Sequence, residues 1–225
     1  MLTEPAEALT DLLLGLVVCA LAIGVRHHAG IHRYWQATFW WAGAAALAGF
    51  VHHGFLVRWP AVADVSWPVI SVMVVVAASY LLAATVEEVL GPGHTRTFWL
   101  LRTAGLLAYV VLAATGHAGV AALLACESIT FACVLGLWGW AAYRRDPLAV
   151  PVLVAIAASG AAAGARALSP AVTARLHLDP TSLYHLAQIV GMVLLYRAVT
   201  RGARRVRPEA TAALSGRPPA RRSRP

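Results

Sequence analysis

The chain has 225 residues, 60% of them hydrophobic and only 12% charged, with a mean hydropathy of +0.69. A soluble domain is about 45–50% apolar and about 25% charged. This composition excludes an ordinary soluble enzyme and a disordered chain, and it points to a protein whose solvent is mostly lipid. The net charge of +8 comes from 18 Arg with no Lys. Eight of those Arg lie in the last 25 residues, so the charge belongs to a tail and is not a nucleic-acid footprint. Cys19, Cys126 and Cys133 fall in apolar runs without C-x-x-C spacing, which argues against disulfides and Cys-based zinc sites. Glu4, Glu7 and Asp11 stand where a signal peptide would be basic, so cleavage is not expected.

Seven apolar segments are each about long enough for a membrane helix. They run Leu9–Val25, Trp35–Val57, Val65–Val86, Phe98–Thr115, Ala118–Tyr143, Leu148–Leu168 and Ser182–Thr200. The breaks hold Arg26–Arg33, Trp59-Pro60, Gly91-Pro92-Gly93, Gly116, Arg144–Pro147 and Ser169–Pro180. The fold class read from this pattern is all-α: a polytopic, seven-transmembrane-helix bundle over residues 1–200. Residues 201–225 read as a disordered Arg/Pro-rich tail. The short break at Gly116 pairs the fourth and fifth helices as tight antiparallel neighbours.

Arg placement sets the orientation. Alternate connections hold Arg26 and Arg33, Arg96 and Arg102, and Arg144 and Arg145, and the C-terminal side adds Arg197 and the tail. Only Arg58, Arg166 and Arg175 fall on the other side. The N-terminus therefore faces outward and the C-terminus the cytoplasm, across the cell membrane. The tail would touch anionic lipid headgroups. The eight Trp, mostly near span ends, read as an interfacial belt.

Charges and imidazoles at membrane depth are costly, so each is a functional candidate. Asp11, His52, His53, Asp64, His117, Arg166 and His185 all map to the outer half. Glu127 lies about 12 Å into the fifth helix at about 1.5 Å per residue, and needs a partner such as Arg166 or a His. Thr181, His185 and Gln188 share one face of the last helix, with Tyr184 beside it. The inner half reads as nearly pure Leu, Val and Ala, with Glu87 and Glu88 pairing Arg96 or Arg102. His53 and His185 are the candidate metal ligands, with His52 as alternate, because adjacent helical residues point about 100° apart. Asp64 and Glu127 are candidate catalytic carboxylates. Asp11, Thr181, Tyr184 and Gln188 line the outward pocket.

Two segments carry a resemblance. Gly49-Phe50-Val51-His52-His53-Gly54-Phe55 is followed by Asp64-Val65-Ser66-Trp67-Pro68. The last helix opens Thr181-Ser182-Leu183-Tyr184-His185-Leu186-Ala187-Gln188 and closes with Leu195-Tyr196-Arg197. With Thr10-Asp11-Leu12-Leu13-Leu14, this resembles an uncharacterised bacterial seven-span family. It also resembles, faintly, the alkaline ceramidase and progestin/adiponectin-receptor superfamily of seven-helix zinc hydrolases. That second resemblance implies zinc on His53 and His185, with Asp64 nearby. In this chain, however, Thr181 replaces the first His of the superfamily's H-x-x-x-H pair, and Gly49 replaces its Ser. A full site would have to recruit His52, Asp64, Glu127 or His177.

The first functional expectation is a non-catalytic membrane protein: a receptor, accessory subunit or transporter component that takes a lipid or small-molecule ligand in the outward pocket. The alternatives are a zinc-dependent hydrolase of lipid amides or esters, and a non-covalent haem protein using His53 with His185 or His117.

Overall fold

A computed structural model of the chain describes residues 2–28, 31–112, 114–115, 120–165 and 179–214. Among them are seven α-helices and no β-strand: α1 Pro5–Arg26, α2 Arg33–Val51, α3 Pro60–Leu90, α4 Thr95–Leu112, α5 Val120–Tyr143, α6 Ala149–Ala165 and α7 Pro180–Leu214. Each predicted apolar run is helical where it is described, apart from Val57 and Leu148 at run ends, which lie in turns. Helices α1 and α3 begin earlier than their apolar runs because Pro5 and Pro60 occupy the first helical turn, where a missing N–H costs nothing. Helix α3 carries Pro68 in its interior and ends at Gly91, whose φ of 87° favours glycine. Helix α7 runs on to Leu214, past Arg201, where the disordered tail is expected to begin. Ala and Arg in residues 201–214 favour the helix, although Gly202 and Pro208 work against it. Residues 215–225, with Arg166, Arg175, His117 and His177, lie outside the described residues.

Among the described residues, four stretches are long and apolar enough to cross a membrane: Pro5–Arg26, Pro60–Leu90, Ala125–Tyr143 and Pro180–Gly202. Helix α1 packs on α2 and α7, α2 on α3, α3 on α5, α5 on α6, and α6 on α7. These six close a ring, and α4 lies outside it, mainly against α5. Helix α4 accordingly exposes Trp99, Leu100, Leu107, Val110 and Val111. The ring's core is built from Val18, Trp35, Phe39, Leu82, Val134, Trp138 and Val152.

Small residues set the close helix contacts. A Cβ on Gly15 would lie 3.0 Å from the Leu47 backbone N, and one on Gly43 would lie 3.1 Å from the Cys19 backbone N. On Gly105 it would meet the Cys126 carbonyl at 2.8 Å. The expected antiparallel α4–α5 pair is therefore present, joined at Gly105.

Asp179 caps α7. Its carboxylate accepts bonds from the Ser182 backbone N–H at 2.8 Å and from the Ser182 hydroxyl, with Pro180 at the first helical position. Burial works against the charged form, but the bonds from Ser182 outweigh it and hold the Asp179 pKa below its ordinary 3.8. Asp179→Ala should cost about 1 kcal/mol, read as faster hydrogen exchange at residues 181–183. Because the folded pKa is depressed, the cap's contribution is present above the ordinary Asp range. It is lost as pH falls through the lowered value.

Candidate functional site

The first turns of α1, the end of α2, the start of α3 and the start of α7 meet at one end of the bundle. Helix α2 ends in a π-helical turn, His52–Leu56, a form concentrated at functional sites. This turn sends two adjacent imidazoles to different neighbours. His52 is buried, its Nδ1 2.7 Å from Ser66 Oγ on α3 and its ring 5.7 Å from that of Trp67. His53 instead faces α1, with Nδ1 2.6 Å from Glu4 Oε2 and 3.0 Å from Glu7 Oε2.

His185, on α7, meets α1 one turn deeper. Its Nε2 lies 3.3 Å from Asp11 Oδ1, and its Nδ1 lies 3.2 Å from Thr10 Oγ1. Both partners of the pair are buried, with side-chain exposures of 9% for His185 and 7% for Asp11. The Asp11 carboxylate lies over Gly49, where an added Cβ would be 2.5 Å from Oδ2. Any side chain at position 49 would strike that carboxylate, so Gly49 leaves the room that Asp11 occupies.

The remaining pocket candidates diverge. Tyr184 sets its ring 5.3 Å from that of His185, and Thr181 is half-buried nearby. Gln188 turns to α6 and donates from Nε2 to Ser159 Oγ at 3.3 Å. Asp64 is exposed on the first turns of α3. The structure therefore brings His185 to Asp11 and His53 to Glu4 and Glu7. It does not gather His53, His185 and Asp64 into one ligand set. Among the described residues, the group with three ligand atoms within 4.8 Å of one another is Glu4, Glu7 and His53. Reading the residues singly, Glu4 and Glu7 counted only as an acidic flank. Their i, i+3 spacing was the available signal.

A second polar centre lies between α3, α4 and α5. Arg102, assigned to a cytoplasmic break by its sequence position, is instead only 2% exposed. Its guanidinium donates to Thr130 Oγ1 at 2.6 Å and to the Val75 carbonyl at 3.2 Å, and lies 3.5 Å from Glu127 Oε1. Glu127 thus takes its counter-ion from α4. Its Oε2 is buried without a hydrogen-bond partner among the described residues. Arg102 falls inside the apolar run beginning at Phe98, and that was the missed signal.

The opposite end is more polar than its Leu, Val and Ala content suggests. Trp35 and Trp138 are fully buried, not interfacial, with ring centroids 6.5 Å apart. Their indole N–H groups donate to Glu88 Oε2 at 3.4 Å and Thr85 Oγ1 at 3.1 Å. Indole N–H groups buried in a core need such acceptors. Glu87 pairs with His32 at 3.5 Å, so neither Glu takes Arg96 or Arg102. Trp40, Trp41, Trp59, Trp99 and Trp140 are exposed, in keeping with a belt. An open cleft of about 370 Å³ at this end is lined by Trp140, Arg144, Arg145 and Asp146, among others.

No curated protein and no solved structure matches the chain significantly, so the likeness to the ceramidase superfamily rests on the quoted motifs alone. One family matches, over residues 6–204, a span that runs from the first turn of α1 into α7 and holds both buried ion pairs. The chain therefore belongs to the Family of unknown function (DUF6962).

Proposed function

We propose that the chain is an integral membrane protein crossing the bilayer seven times, with its N-terminus outside and its C-terminus cytoplasmic. In this reading it is a non-catalytic receptor, accessory subunit or transporter component of the bacterial cell membrane. The apolar exterior of α4 supports the spanning reading, since water penalises such a face and lipid does not. Withdrawing Arg102 into the interior leaves the Arg asymmetry between the two ends intact. A reporter of fluorescent-protein type fused after Pro225 should fluoresce, since such reporters fold in the cytoplasm. A dark fusion beside an active periplasmic-phosphatase fusion would reverse the orientation.

The observation that carries the non-catalytic reading is the closure of Asp11 and His185 on each other at 3.3 Å, with less than a tenth of either side chain exposed. A general base must reach a substrate proton. This imidazole is instead spent joining α7 to α1. The full chain, purified in detergent with added zinc, should release no more fatty acid from long-chain lipid amides or esters than its His185→Ala variant does. Zinc-dependent release that this variant abolishes would establish the hydrolase instead.

A further inference from the structure

We propose that Glu4, Glu7 and His53 form a binding site for a zinc-class divalent cation that staples the start of α1 to the π-helical turn after α2. Glu4 and Glu7 are three residues apart, so their carboxylates project from one side of the first turn of α1. Both reach the same atom, His53 Nδ1, at 2.6 and 3.0 Å. Glu4 stands at the N-cap of α1 yet makes no capping bond with its side chain. It is turned to His53 instead.

The backbone holds the two ligand-bearing segments in register. The Glu4 N–H donates to the His53 carbonyl at 3.1 Å, and the Thr3 N–H donates to the Gly54 carbonyl at 3.0 Å. The ligands are therefore preorganised, which lowers the ordering cost of binding. Their exposure is graded: 15% for the His53 side chain, 25% for Glu7 and 40% for Glu4. One side stays open to an incoming ion and its water, while the imidazole is largely enclosed.

The donor chemistry fits. Zinc takes imidazole nitrogen and carboxylate oxygen at about 2.0–2.2 Å, and three protein ligands leave a position for water. Tetrahedral ligands at that radius are about 3.4 Å apart. The two separations from His53 Nδ1, 2.6 and 3.0 Å, therefore need to widen by less than about 1 Å as the cation enters. Two carboxylates and a neutral imidazole balance the charge of a dication. The site is separate from the Asp11–His185 pair, and it stands whether or not the bundle is catalytic.

The test is zinc titration of the detergent-purified full chain after chelator stripping, read by calorimetry and by metal content. The wild type should bind one zinc per chain. His53→Ala and the conservative Glu7→Gln should each weaken binding by at least about tenfold, while His185→Ala leaves it unchanged. Glu7→Gln keeps size and hydrogen bonding, so its effect stands even where His53→Ala disturbs the fold. No stoichiometric zinc in the wild type would overturn the site. So would binding that survives Glu7→Gln, or binding that is lost in His185→Ala.

Discussion

Arg102→Ala should be among the most damaging single changes in the bundle, at about 3–5 kcal/mol, the range for removing one partner of a buried ion pair. Three consequences add. Glu127, whose Oε2 already lacks a partner among the described residues, loses its counter-ion. The Val75 carbonyl and Thr130 hydroxyl lose a donor. Helix α4 also loses its main internal anchor, because Arg102 and Gly105 are its buried residues. The double variant Arg102→Leu/Glu127→Leu should recover most of the loss, since well-packed apolar replacements of a buried pair are often neutral. Thermal unfolding and monodispersity in detergent measure both. If the single variant is as stable as the wild type, the pair does not hold α4.

Gly49→Ala should destabilise the protein by about 1–3 kcal/mol, the usual cost of overpacking. In an unconstrained helix the same change would gain up to about 1 kcal/mol, so the sign of the effect decides which force wins. The new methyl would need the space held by the Asp11 carboxylate, at 2.5 Å from Oδ2. Asp11 would have to leave His185, and both groups would then be buried without each other. In an Asp11→Ala background the collision is gone, and Gly49→Ala should become neutral or mildly stabilising. That non-additivity, measured as a double-mutant cycle in thermal stability, is the signature of direct contact. Additive effects would mean that Gly49 and Asp11 act separately.

Hydropathy by itself determined the helical class, the order of seven helices and most of their limits. An apolar run in lipid has no stable alternative to internal backbone bonding, so composition and length suffice for that much. The meeting of Asp11, His52, His53 and His185 at one end was legible for the same reason: alternate helices reverse direction, and depth follows from counting residues. Which groups touch was not legible. Partner choice depends on rotation about each helix axis and on lateral neighbours, and neither leaves a mark in a one-dimensional pattern. The tertiary structure decided that α4 lies outside the ring, and so turned Arg102 from a boundary charge into the counter-ion of Glu127. It decided through a π-helical turn that His52 faces Ser66 while His53 faces Glu4 and Glu7. It took Trp35 and Trp138 out of the belt and into the core, where Glu88 and Thr85 accept their N–H groups. In each case the sequence carried the cost of burying a polar group, and only the packing of neighbouring helices showed which partner offsets it.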